Sequence, residues 1–209
     1  MKYPRTFHLP FSPGCTSDDK RLENVNYLLG RPLVVTEKMD GSNVCMESDA
    51  CFARSHSDAP SHPSFDMFKA VHATVKHRIS KGIQVFGEWL YAKHSIHYTS
   101  LPNYFMIFGV REGDRWASWE EVEMWAAELE VETVPVLARL NTFEEFGDLE
   151  LPSTSACGET REGFVIRWAS GFKNEEFSRA VAKFVRANHV STSDHWSHQK
   201  LERNLLRMT

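Results

Sequence analysis

Four short runs of this 209-residue chain place ionisable residues on strand-like segments where a plain apolar core has no use for them. They are Glu37-Lys38-Met39-Asp40, Phe86-Gly87-Glu88, Glu162-Gly163-Phe164-Val165-Ile166-Arg167 and Ala182-Lys183-Phe184-Val185-Arg186. Charge on a buried strand requires a partner, because desolvation without one is unfavourable. Lys38 and Asp40 are two apart and share one strand face, while Glu37 and Met39 face the other way. A lysine so placed is either a surface residue at a hairpin or a nucleophile held in a site. As a nucleophile it must lose its proton, and an ordinary lysine with a pKa of ~10.4 keeps it at neutral pH. Desolvation and nearby cations lower that pKa; nearby carboxylates raise it. Glu37 and Asp40 therefore oppose the chemistry unless cations such as Lys183 or Arg54 close on the site.

The elements that position these residues are legible from periodicity. Leu33–Met39 reads as a strand, Asp40-Gly41-Ser42 as a turn, and Asn43–Glu47 and Ala50–Ser55 as the next strands. Phe65, Phe68, Val71, Val75 and Ile79 recur at helical spacing across residues 64–80. Gln84–Ala92, Tyr104–Arg111, Thr133–Leu140, Gly163–Trp168 and Ala180–Val185 read as strands. Capping boxes at Ser118–Glu121 and Thr142–Glu145 open two more helices. The first 30 residues, with SPGCTSDD, read as a leader carrying a short helix near Asp18–Leu29. Strands in adjacent runs rather than βαβ alternation predict an α+β fold with mostly antiparallel sheets.

Composition narrows the function classes. Hydrophobic residues make up 42% and charged residues 25%, ordinary globular usage, so disorder is not expected. No stretch approaches the ~18–20 apolar residues of a membrane span. MKYPRTFHLPF lacks the apolar core of a secretory signal, so a cytoplasmic location is expected. Cys15, Cys45, Cys51 and Cys157 form no CxxC pair and are expected to be reduced packing residues. The net charge of −4 excludes a broadly basic nucleic-acid binder. Residues 161–209 nonetheless carry nine Lys and Arg against five Asp and Glu, a balance of +4; the first 160 carry 15 against 23, or −8. That basic third either meets phosphates or is a solvated tail. His94-x-x-His97 and His195-x-x-His198 are weak metal signals without Glu or Cys company.

The ordered motifs K-x-D-G-x-N, F-G-E, E-G-F-V-I-R and A-K-F-V-R resemble motifs I, III, IV and V of the covalent nucleotidyltransferases, which comprise ATP-dependent DNA ligases, RNA ligases and mRNA capping enzymes. The resemblance runs from Glu37 to about Asn188. It implies a nucleotidyltransferase (adenylation) domain over residues 31–188, of mostly antiparallel sheets flanked by helices, with a leader at 1–30 packed on it. Residues 189–209 are then a short tail, with little room for an OB fold or a large C-terminal domain. The resemblance also implies a reaction: Lys38 attacks the α-phosphate of ATP, pyrophosphate leaves, and the AMP passes to a 5′-phosphate that a 3′-OH then attacks. ATP and Mg²⁺ (or Mn²⁺) are the implied cofactors, and Glu162 the implied metal-facing carboxylate.

By the same resemblance Glu37 and its backbone meet the adenine edge, and Asp40 belongs to the AMP site. Gly41 permits the turn, and Asn43 contacts the sugar–phosphate region or the nucleic acid. Glu88 accepts from a ribose hydroxyl. Glu162 orients the hydrated metal or the lysine, and Lys183 holds the α-phosphate. Arg54 contacts phosphate or sugar, Phe108 stacks on adenine, and Arg186 serves as a second cation. Asn43, where DNA ligases and capping enzymes typically have Arg, resembles the nick-sealing "RNA ligase 2" type. RNA ends or a nicked duplex are then the partners, with accessory repair proteins. A DNA-ligase-like or polynucleotide adenylyltransferase activity, or a degenerate nucleotide- or RNA-binding domain, is the alternative. Two departures stand out: Gly109 where the family often has Asp, and Val185 where many members have a second lysine.

Overall fold

The computed structural model describes residues 2–55, 60–148, 150–187 and 201–208. In chain order the elements are β1 (Phe7–His8), β2 (Leu33–Lys38), β3 (Ser42–Met46), β4 (Cys51–Ala53), α1 (Asp66–Val75), β5 (Ile83–Trp89), β6 (Phe105–Glu112), β7 (Arg115–Trp116), α2 (Trp119–Glu128), β8 (Glu132–Thr133), β9 (Val136–Leu140), β10 (Gly163–Trp168), β11 (Phe172–Lys173), α3 (Phe177–Ala180) and β12 (Val181–Val185). One sheet runs β1-β12-β10-β2-β9; the other runs β11-β7-β6-β5-β3-β4, with β8 paired to β6. Among the described strand pairs, β1–β12 and β6–β8 are parallel and the others antiparallel. The expected α+β fold of mostly antiparallel sheets is the observed one.

The apolar alternation of the strands builds two cores. One lies between the sheets and joins Val35, Ile166 and Ala182 of the first to Cys45, Phe86 and Trp116 of the second. The other joins the far face of the second sheet to the helices, with Val44, Met46 and Val85 against Phe68 of α1 and Val122 of α2. Each fully buried large side chain here contributes about 1.5–3 kcal/mol. All four cysteines are free, and Cys45 and Cys51 sit buried in adjacent strands, as the hairpin reading expected.

The helices follow their end signals. Ser118 Oγ accepts from the Glu121 N–H at 3.2 Å, and the Glu121 carboxylate accepts from the Ser118 N–H at 2.7 Å, so the first capping box forms and opens α2. The second expected box does not form a helix of the α type. Residues Phe143–Asp148 wind as a 3-10 helix, and Asn141, not Thr142, donates its N–H to Glu145. The reason is visible in the rings: Phe143 and Phe146 stack at 5.5 Å, and an i,i+3 pair eclipses only in the tighter winding.

Two further departures matter for the site. The leader helix expected near Asp18–Leu29 is only a 3-10 turn at Asn26–Leu28. Its upstream backbone groups are instead bonded sheet-wise: His8 N–H to Lys20 O at 2.7 Å, Leu22 N–H to His8 O at 2.7 Å and Leu9 N–H to Lys183 O at 2.8 Å. The leader is thus an edge of the first sheet. At the other end, residues 201–208 run beside residues 90–101. Asn204 is fully buried; it donates to Leu90 O at 2.8 Å and accepts from the Tyr98 N–H at 2.9 Å. Asn204→Ala removes both bonds, and an orphaned buried polar group costs roughly 1–3 kcal/mol. The expected result is a melting temperature lower by about 5 °C; an unchanged melting curve would show that this segment does not brace the fold.

Candidate active site

A cavity of about 680 Å³ is lined by residues of both sheets and the leader. Its floor follows from register. Thr36 of β2, Val165 of β10 and Lys183 of β12 are paired across three strands and all line it. Lys38 lies two residues beyond Thr36 and shares that face.

Lys38 Nζ donates to Glu162 Oε2 at 2.7 Å across 124 residues of sequence. Glu162 has 5% of its side chain exposed and Lys38 27%. Burial works against the Lys38 charge, but the carboxylates of Glu162, Glu88 and Asp40 outweigh it, so its pKa is raised. Burial raises the Glu162 carboxyl against the pull of Lys38. Lys183 goes the other way: burial and the Lys38 charge lower it, against Asp19 and Glu162. The resting lysine is therefore protonated and held by a carboxylate of weakened acidity, as a proton acceptor would be.

Glu88 stands at the same end. It is paired across strands with Asn43 and approaches Gly41, and all three line the cavity. Burial pushes its pKa up to about 8; Lys38 and the Gly41 N–H pull it down, while Glu162 and Asp40 add to the rise. The unfolded carboxyl titrates near 4.5. From there to pH 8 the unfolded chain releases this proton and the folded protein keeps it, so Glu88 lowers stability progressively as pH rises. Glu88→Gln is expected to flatten the fall in melting temperature between pH 5 and pH 8 (about the interval between those two values). Parallel profiles for the two proteins would exclude the shift.

The turn glycine has a steric cause. A Cβ on Gly41 would lie 2.6 Å from Trp89 O and 2.8 Å from Leu90 Cδ2, so the turn packs its backbone directly on β5. Asp40 seats that turn: its Oδ2 accepts the Ser95 and Ile96 N–H groups, each at 2.8 Å, and its own N–H donates to the Tyr98 hydroxyl at 2.8 Å. Asp40 thus reaches the chemistry through its field on Lys38 and Glu88, while its carboxylate is spent on backbone. Glu37 likewise turns away from Lys38. Its Oε2 accepts the Ala156 N–H at 3.0 Å and lies 3.8 Å from Arg161 Nε. Glu37 faces away from Lys38, as the alternation expected, and is also among the residues that line the cavity.

Phe108 reaches the cavity through a bulge. Across β5–β6, Phe86 pairs with Gly109 and Gly87 with Ile107, which leaves Phe108 as the extra residue. Arg167 holds the bulge, donating to Phe108 O at 3.1 Å and Ala117 O at 2.8 Å. Burial lowers that guanidinium to about 10. Tyr3 of the leader meets the Phe108 ring at 5.0 Å, edge-on, and also packs on Phe86, Trp116 and Phe177. A Cβ on Gly109 would make only ordinary contacts with Trp116 and Tyr3, at 3.5 and 3.9 Å. Burial pushes the Tyr3 hydroxyl up to about 12.

The sheet thus brings together Lys38, Asn43, Glu88, Glu162, Phe108 and Lys183, and Arg54 lines the same cavity. Arg186 is not among the lining residues; its Nε donates to Arg161 O at 3.0 Å. That matches a residue past the end of β12 on the face away from Lys183. His94 lines the cavity and approaches Ser42 Oγ at 3.4 Å, whereas His97 faces Glu202 at 4.0 Å. Among the described residues no group of three His, Cys, Asp or Glu is arranged to hold a metal. His195 and His198 lie outside the described residues. The sequence reading missed Tyr3, His8, Asp19, Arg161 and Arg167. Only Arg167 carried a signal, as the charge ending E-G-F-V-I-R.

The fold is that of a nucleotidyltransferase domain. Within that class the chain belongs to the RNA ligase family, whose model matches residues 31–185. Solved structures agree in fold. A Naegleria gruberi RNA ligase with PPi superposes with a TM-score of 0.54 at 17% identity, over 78% of this chain and 51% of that one. A variant of the same ligase with ATP and Mn gives 0.52 at 16%, over 86% and 58%. A protein described as a candidate ATP-dependent DNA ligase from Aquifex aeolicus gives 0.51 at 15%, over 88% and 50%. The chain therefore spans about half to three-fifths of the length of these proteins. No curated protein matches it. No helix among the described residues is long and apolar enough to cross a membrane.

Proposed function

We propose that this chain is an ATP-dependent RNA ligase that works through a lysyl-AMP intermediate on Lys38. The observation that carries the reading is the Lys38–Glu162 pair at 2.7 Å, inside a cavity that Lys183 also lines. ATP enters with its α-phosphate facing Lys38 Nζ. A divalent cation bound with the nucleotide, together with Lys183, would offset the carboxylates that hold the lysine protonated. Glu162 accepts the Lys38 proton, its raised pKa suiting it to the task. The amine then forms a P–N bond, the bond to the β-phosphate breaks, and pyrophosphate leaves. Lys183 stabilises the charge on the phosphoryl oxygens. Phe108 would offer its ring to the base, and Asn43, Glu88 and Arg54, which line the same cavity, would meet sugar, phosphate or RNA. The AMP passes to an RNA 5′-phosphate, and a 3′-OH displaces it. Asn43 in K-M-D-G-S-N favours RNA over DNA.

The carboxylates fit a divalent cation that rides on the triphosphate, since Mg²⁺ keeps oxygen and water ligands and needs only one or two from protein. Glu162, with Glu88 beside it, would supply them. When bound, such a cation would neutralise phosphate charge.

The test is intact mass after incubation with ATP and Mg²⁺ or Mn²⁺. A gain of ~329 Da, one AMP on the lysine, followed by its loss and strand joining when 5′-phosphorylated RNA is added, is the expected result. ATP binding with no covalent product would instead place the chain among degenerate nucleotide-binding domains. Label from GTP alone would indicate capping chemistry.

A further inference from the structure

The leader carries a chain of buried polar side chains that ends on Lys183. The Val185 N–H donates to Ser12 Oγ at 3.0 Å, and Ser12 Oγ meets His8 Nδ1 at 2.8 Å. His8 Nε2 lies 3.4 Å from Asp19 Oδ2, and Lys183 Nζ donates to Asp19 Oδ1 at 3.3 Å. Ser12 and His8 are each 1% exposed. Ser12 Oγ accepts from the Val185 N–H and also lies 3.4 Å from Val185 O, so its contact with His8 Nδ1 is compatible with either tautomer of a neutral His8. A neutral His8 agrees with the lowering of its pKa by burial and by Lys183.

The chain closes on itself. His8 is paired with Lys183 across β1–β12, and Val185 is two residues further along the same strand. Asp19 is also fixed from its own side, accepting from Thr16 Oγ1 at 2.9 Å and from the Thr16 N–H at 3.3 Å. Burial raises its carboxyl, but Thr16 and Lys183 outweigh this and bring it to about 2, so it is a permanent anion. Lys183 and Lys38 lie on one face of the sheet, two strands apart and offset by two residues along it, roughly 12 Å from backbone to backbone. Both line the cavity, and Asp19 holds Lys183 from the wall that the leader builds.

We propose that Asp19 is a positioning residue for Lys183: braced by Ser12 and His8, it aims the Lys183 ammonium at the phosphoryl group under transfer. The inference rests on the reading that Lys183 meets the α-phosphate. A carboxylate that merely blocks the site would have to swing out when ATP binds. Asp19 is instead bonded to Thr16 and Lys183 at once, with His8 Nε2 3.4 Å away, within a loop closed by the backbone of β12.

The experiment measures single-turnover formation of the AMP adduct against ATP concentration, for the wild type, Asp19→Asn, Asp19→Glu and Lys183→Ala. Asp19→Asn keeps an acceptor for Thr16 but removes the charge. The expected result is a maximal rate lowered tenfold or more, on the order of a lost charge-assisted bond, with half-saturating ATP changed less than about threefold. Asp19→Glu should recover part of that rate, which a purely structural role would not predict. Melting curves identify any variant that has lost its fold, and Asp19→Glu then carries the test. A faster or tighter-binding Asp19→Asn would overturn the proposal in favour of a blocking carboxylate, and an unchanged one would overturn it outright. If the wild type forms adduct and Lys183→Ala does not, a null result at Asp19 defeats this inference alone. A wild type that forms no adduct defeats the ligase reading, and this inference with it.

Discussion

Lys38→Ala is expected to abolish the AMP adduct, with a loss on the order of 10⁶-fold if Lys38 is the nucleophile. No other described lysine sits against a buried carboxylate in the cavity as Lys38 does against Glu162 at 2.7 Å. Lys183 lies on the same face but is engaged by Asp19. Lys38→Arg separates charge from nucleophilicity. It keeps a cation beside Glu162, so the fold should survive, yet guanidinium does not deprotonate and no adduct should form. Removing the Lys38 charge altogether leaves Glu162 and Glu88 without their nearest cation. Both carboxyls should then bind protons at higher pH than in the wild type. Intact-mass measurement of the three proteins after ATP treatment decides the matter, and an adduct on Lys38→Ala would refute the assignment.

Gly163→Ala should be the most damaging small substitution for the fold. Gly163 is in a central strand, paired with Lys38 on one side and Val185 on the other. An added Cβ would overlap the carbonyl oxygen of Phe184 and come within 2.9 Å of its carbonyl carbon and 3.1 Å of Val185 Cα. These are backbone atoms and cannot rotate aside, so β12 must move, and Lys183 with it. Overpacking of this kind costs about 3 kcal/mol or more, a melting temperature lower by roughly 10 °C. Gly109→Ala is the control. Its Cβ would meet Trp116 at 3.5 Å, an ordinary contact, and should be nearly neutral. A Gly163→Ala protein that melts within about 2 °C of the wild type would show that the strands part more easily than their register suggests.

Most of the residues that meet at the cavity were legible because they lie on, or within a residue or two of, strands with a clear pattern. Alternation put Lys38 and Asp40 on one face and Glu37 on the other, and the structure keeps Glu37 behind the sheet with Arg161. The capping box at Ser118 was legible because its two bonds are local. The leader was not. SPGCTSDD has loop composition, and nothing in it signals that Asp19 meets a lysine 164 residues away. The same holds for Tyr3, whose ring partners come from β5, β6, β7 and α3. Residues 201–208 read as a tail because the bonds of Asn204 are all long-range.

By itself the amino-acid sequence determined the chemical inventory, the strand faces and the order of the motifs, since propensity and period are local properties of the chain. The tertiary structure alone decided the pairings. It set Glu162 on Lys38, turned Asp40 to the backbone of Ser95 and Ile96, re-aimed Phe108 through a bulge and brought the leader to Lys183. Charge partners and register are set by which strands pack together, and the strength of an ion pair depends on the burial that packing creates.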